Sequence, residues 1–162
     1  MTAERGRDRD TAGRARNARP RDELGRPLPR SAAQDVPHIA DDLVISPAEA
    51  AELGGRLLAE GRPFHAHEVF EAAWKSVPGQ QRELWRGLAQ VAVGLTHARR
   101  GNPGGAIALL RRGAGQVAEF ADEPSEVDAG FVAAQATDLA LRIERDGLAG
   151  VPEADLRLKL SP

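Results

Sequence analysis

The sequence has no cysteine, which removes disulfides, thiolate metal sites and thiol catalysis together. It also has no tyrosine, only four phenylalanines, two tryptophans and one methionine. A hydrophobic core must therefore be built from Ala, Leu and Val, and an Ala- and Leu-rich composition favours helices over sheet. No apolar run approaches the roughly 18 residues of a membrane span. The N-terminus lacks the apolar segment of a signal peptide. No membrane partner is expected, and a soluble cytoplasmic protein is the expectation. Charge of one sign is lacking too: 22 Lys and Arg face 24 Asp and Glu, a net charge of -2, so nothing global argues for a nucleic-acid partner. What is present is 162 residues, 41% of them hydrophobic, enough for one domain with tails.

Residues 1–36 carry nine Arg against six acidic residues, with Leu24, Leu28 and Val36 as isolated large apolar side chains. Such a segment buries too little to offset the entropy of ordering it and is expected to be a disordered, Arg-rich tail. Its interleaved acids favour a solvated leader over a nucleic-acid-binding arm. A helical domain is expected over 37–147 and a C-terminal tail or irregular strap over 148–162.

Punctuation within the domain predicts five helices. Ser46-Pro47-Ala48-Glu49 is a capping box with Pro at N1. It opens a first helix through Ala50, Leu53, Leu57 and Leu58 that stops at Gly61. Pro63 opens a second, and Pro78-Gly79 closes it. The third runs from about Gln80 to Arg100, with an apolar stripe at Trp85, Leu88, Ala92 and Leu95. A second stripe, Gly87, Val91, Gly94 and Ala98, is small enough for another helix to approach closely. Gly101-Asn102-Pro103 is a structural turn: Gly past one helix, Asn as the next N-cap, Pro at N1. The fourth helix aligns Ala106, Leu110, Gly113, Val117 and Phe120. The fifth is expected from Val127 to about Arg145, with Phe131, Leu139 and Ile143 as anchors. Val132, Ala136, Leu139 and Ile143 add a second stripe, so this helix is either well buried or shared with a partner as a homodimer face.

Two segments align at a 40-residue offset: Leu53-Gly54, Gly61, Ala66, Phe70, Ala73 and Pro78 with Val93-Gly94, Gly101, Ala106, Leu110 and Gly113. The spacing resembles the tetratricopeptide helix–turn–helix, although the second copy has His97 in place of an aromatic residue, Gly113 for Ala and Ala118 for Pro. Two copies are fewer than the roughly three of a solenoid. The expected fold is all-α, a compact bundle of about five helices with tetratricopeptide-like hairpins.

The unusual side chains concentrate in Phe64–Trp74. At 3.6 residues per turn His67, Glu71 and Trp74 share one stripe, with Glu68 beside it. If the second and third helices pack antiparallel, Gln90 or His97 can face that stripe. The run His67-Glu68-x-x-Glu71-x-x-Trp74, then Gly87-Leu88-x-Gln90, then His97-x-x-x-Gly101-Asn102-Pro103-x-Gly105-Ala106 is similar to the bacterial family known as domain of unknown function 309, over roughly residues 47–120. The resemblance implies an all-helical fold and no assigned activity.

Two chemistries compete for this cluster. A His–Glu pair at a helix interface is most simply a satisfied structural hydrogen bond, with Trp74 as packing. That reading makes the chain an interaction or scaffold domain, or a small-ligand-binding one. Alternatively His67, Glu71 and His97 bind a divalent metal and, with Glu68, form a hydrolase-type centre. The HExxE spacing is not the HExxH of a metalloprotease. His65, two positions from His67, is expected at the rim. The glycine-rich turn at 101–105 lacks the Lys and Ser/Thr of a phosphate-binding loop. Arg99, Arg100, Arg111 and Arg112 flank it without aromatic stacking partners, so a solvated surface is preferred over nucleic-acid contact.

Overall fold

In a computed structural model the chain is described at Leu24 and over residues 42–162. The tail expected over 1–36 lies, apart from Leu24, outside the described residues. Those described form five helices and two short 3₁₀ turns, with no strand among them.

The first helix, α1 (Pro47–Ala59), starts on the capping box: Ser46 Oγ accepts from the Glu49 amide at 3.2 Å, and Glu49 accepts from the Ser46 amide at 3.0 Å. Its core side is Ala50, Gly54, Leu57 and Leu58. Gly61 makes the turn at φ 72°, and Pro63 opens α2 (Pro63–Ser76). The third helix, α3 (Arg82–Arg99), buries Trp85, Leu88, Ala92 and Leu95 as its stripe predicts. Gly101 at φ 76° and the Asn102 cap then lead into α4 (Pro103–Ala118). The fifth, α5 (Ala129–Asp146), begins two residues later than expected. Asp128 caps it, its carboxylate accepting from the Phe131 amide at 2.9 Å.

The helices pack in chain order, each against the next, as short connections dictate. Phe70 of α2 meets Trp85 of α3 at 6.1 Å between ring centroids, and both are about 1% exposed. Burying side chains of that size stabilises the fold by roughly 1.5–3 kcal/mol each. Close approach of α3 to α4 depends on glycine. A Cβ on Gly113 would sit 2.8 Å from the Gly87 carbonyl oxygen and 2.8 Å from the Val91 nitrogen. The 40-residue offset has a physical counterpart. A Cβ on Gly54 would meet the Phe70 ring at 2.2 Å, and one on Gly94 would meet Leu110 Cγ at 2.9 Å. Both members of the contact shift by the same offset.

Two expectations are corrected, and of the tail and the strap expected at the C-terminus the strap is found. Phe131 is only half-buried; the core stripe of α5 is Val132, Ala136, Leu139, Ala140 and Ile143. The stripe offered as a homodimer face is therefore spent inside the chain. His65 is 2% exposed rather than at the rim, because it shares a row with Val69 and Ala72, which also face the core. Finally, residues 148–162 are a packed strap. Past Gly147 (φ 73°) the chain turns back along α5 and buries Val151, Leu158 and Leu160.

Candidate functional site

Two buried rows of α2, His65-Val69-Ala72 and Ala66-Phe70-Ala73, form its core side. His67, Glu71 and Trp74 lie on the next row, at the edge where α2 meets solvent. The three are half-buried there, with the His67 and Glu71 side chains 19% and 44% exposed. His67 Nε2 stands 3.2 Å from Glu71 Oε1, the i,i+4 pairing of one helix face. The His67 hydrogen bond holds the Glu71 carboxyl below its ordinary value, against burial, which raises it; the charges of His67 and Lys75 add to the lowering. A carboxylate accepts only, so Nε2 carries the proton of this bond, and in the neutral form of the ring Nδ1 is an acceptor. Nδ1 is enclosed and has no hydrogen-bond partner. The Phe64 ring lies beside this imidazole, 5.6 Å between centroids.

Trp74 is covered from α3. The Arg82 guanidinium lies 5.3 Å from the indole centroid and that of Arg86 5.9 Å, both within cation–π range. Arg86 is also 3.5 Å from Glu83, and Glu83 accepts from Gln116 of α4 at 2.8 Å. Arg82 has no carboxylate within ion-pair distance among the described residues. One turn past Arg86 on the same row stands Gln90, half-buried. Since α2 and α3 are antiparallel, and Trp74 matches Arg82–Arg86 while Phe70 matches Trp85, Gln90 comes level with His67. Trp74 Nε1 and Gln90 Oε1 are buried and without partners, like His67 Nδ1. Glu68 is half-buried on the adjoining row. Neither Arg82 nor Arg86 belongs to a motif that the sequence marks as a site. The short connection after Ser76 was the signal that places both opposite Trp74.

His97 has a different task. Asn102 Oδ1 accepts from the Gly105 amide at 3.1 Å, which leaves Asn102 Nδ2 to donate to His97 Nδ1, also at 3.1 Å. The histidine thus orients the cap of α4. Gly105 is held close beneath: a Cβ there would lie 2.6 Å from Asn102 Nδ2. Among the described residues no group of three or more His, Asp or Glu side chains is placed to hold a metal ion. His67, Glu71 and His97 are therefore not gathered as one ligand set; helix periodicity joins the first two, while turn geometry claims the third. The arginines flanking that turn are largely committed: Arg99 pairs with Glu153, Arg111 with Glu144, and Arg100 donates to the Leu24 carbonyl.

Residues 52–109 match the family model described as "Domain of unknown function (DUF309)". The chain is also similar to the uncharacterized protein YpuF of Bacillus subtilis (strain 168), 44% identical over 48 residues. That stretch spans 29% of this chain and 28% of the relative. No solved structure gives a significant match. No described helix is long and apolar enough to cross a membrane.

Proposed function

We propose that this all-helical chain is a binding module whose α2–α3 seam takes a small polar ligand, with His67–Glu71 as the structural pair that orients it. The observation carrying this reading is the set of three enclosed polar atoms that lack partners, His67 Nδ1, Trp74 Nε1 and Gln90 Oε1. Native proteins leave few such atoms unmatched, and each one costs roughly 1–3 kcal/mol if it stays so. Their chemistry describes the occupant. Two acceptors ask for hydrogen-bond donors, and the indole N–H asks for an acceptor. The cations of Arg82 and Arg86 beside Trp74 favour an anionic or carbonyl group at that end.

The two tryptophans make the test direct. Trp85 is 1% exposed and insulated, whereas Trp74 is half-buried at the seam. Compounds from a library of small carboxylates, amines and amino acids that raise the thermal midpoint should also change the emission of Trp74. Gln90→Leu should weaken such binding about tenfold, the loss of roughly one hydrogen bond, without unfolding the chain. Hits whose affinity is untouched in both Gln90→Leu and Trp74→Phe would refute the placement of the site.

A further inference from the structure

The C-terminal strap lies in a groove between α1 and α5, and past the 3₁₀ turn at Glu153–Leu156 its last residues are held there as an extended peptide is held by a receptor. From the α5 side, Gln135 grips the backbone of Lys159 twice. Its Nε2 donates to the Lys159 carbonyl at 2.8 Å, and its Oε1 accepts from the Lys159 amide at 3.1 Å. A side-chain carboxamide that binds both the N–H and the C=O of one residue recognises extended backbone, whatever the side chain attached. The Asp128 amide donates to the Leu160 carbonyl at 2.8 Å. Sequence selectivity comes from the flanking contacts. Arg142 binds Asp155 at 2.6 Å, and Arg99 of α3 binds Glu153 at 2.9 Å. Leu158 and Leu160 are buried at alternate positions. The α1 wall is a stripe of Ala51, Gly55 and Ala59, and Leu160 Cδ1 comes within 3.5 Å of the Cβ position of Gly55.

The strap does not fill this groove. An open cleft of 610 Å³ remains between the α1 wall and residues 154–161 of the strap. The hold is also shallow. It rests on three buried apolar side chains and on polar contacts at the surface, and segments secured in that way open locally without global unfolding. Gly147 at φ 73° stands where the strap departs from α5 and supplies a pivot.

We propose that the α1–α5 groove is a peptide-binding groove occupied in cis by residues 151–162, and that its partner in trans is a peptide of the same pattern, two acids in a short turn followed by an extended Leu-x-Leu. The strap supplies the template: acids at Glu153 and Asp155, then leucines at Leu158 and Leu160. An incoming peptide of this pattern pairs its acids with Arg99 and Arg142, gives the N–H and C=O of one residue to Gln135 and seats two leucines beside the small-residue wall. The cis strap competes for the same groups and keeps the groove closed to weaker ligands.

The test uses the full chain and a fluorescently labelled peptide with the sequence of residues 151–162. Leu158→Ser with Leu160→Ser loosens the cis strap, and the peptide should bind this variant at least tenfold more tightly than the unaltered chain. Adding Gln135→Ala to that variant, or replacing both acids of the peptide by lysine, should remove the gain. Equal binding of a scrambled peptide, or none by a variant that keeps its helical circular dichroism, overturns the proposal. Hydrogen exchange on the unaltered chain decides it should the variant unfold. The Lys159 amide must exchange well before those of α3 and faster still with excess peptide; exchange only with the core overturns the proposal. A dimer cross-linked between position 159 of one chain and position 135 of another would assign the groove to a second copy, and likewise overturn it.

Discussion

Replacing Gly113 by alanine adds a single methyl group where α3 and α4 touch backbone to backbone. Three atoms stand in its way: Val91 Cγ2 at 2.7 Å, the Gly87 carbonyl oxygen at 2.8 Å and the Val91 nitrogen at 2.8 Å. The valine methyl can rotate aside, but the two backbone atoms move only with α3 itself. Relief therefore requires the helices to part, which also loosens the contacts of Gly87 with Val117 and of Gly94 with Leu110. Overpacking of this kind costs about 1–3 kcal/mol, and backbone obstacles place it in the upper part of that range. Against it, Gly→Ala in a helix interior gains about 1 kcal/mol of propensity. The expected net loss is about 1–2 kcal/mol. Gly115 on the same helix is the internal control: it is exposed and a Cβ there meets nothing within 4 Å. Gly115→Ala should stabilise by about 1 kcal/mol, so the two variants should differ by about 2–3 kcal/mol in urea denaturation followed by circular dichroism. In thermal midpoint the gap should be about 8 °C or more. Equal stability of the two variants would refute the claim that α3 and α4 meet at glycine-level separation.

Glu71→Gln tests the His67 pair through its pH dependence. The folded carboxyl value of Glu71 is lowered from the ordinary 4.5, so its stabilisation is present above that pH and is lost as pH falls through the folded value. The half-exposed side chain limits the effect to under about 1 kcal/mol at pH 7, and urea midpoints of the two proteins should converge in acid. Asn102→Ala removes both the α4 cap and the donor to His97; calorimetry should show a loss of about 1 kcal/mol. Leu158→Ala should cost about 2 kcal/mol, at the low end for buried leucine because the strap can collapse. Its main signature should be faster exchange of the Lys159 amide, with α3 left protected.

Much of the architecture was legible because its signals are local. The Ser46–Glu49 capping box, the prolines at 47, 63 and 103, and the glycines at 61 and 101 each act on neighbouring residues through fixed backbone geometry. The small stripe Gly87–Val91–Gly94 announced a close helix contact, and α4 makes it. Within the site, the His67–Glu71 pair was readable from periodicity alone. The roles of Arg82 and Arg86 were not read, because they depend on how two helices register across a turn. His65 was misplaced for a related reason: a 3.6-residue repeat tells which residues share a row, while the neighbouring helix decides which rows are buried.

By itself, then, the sequence determined the helices, most of their caps, their order and which residues share a row, since these follow from interactions within a few residues. The tertiary structure alone decided that His97 serves the Asn102 cap rather than the His67–Glu71 pair. It decided too that the α5 stripe of Val132, Ala136, Leu139 and Ile143 is buried within the chain, and that residues 148–162 return to fill the space between α1 and α5. Those outcomes turn on contacts between residues far apart in the chain, such as Lys159 with Gln135 and Leu160 with Asp128. Which of these contacts form depends on how the packed helices divide the remaining surface, and no short-range pattern encodes that.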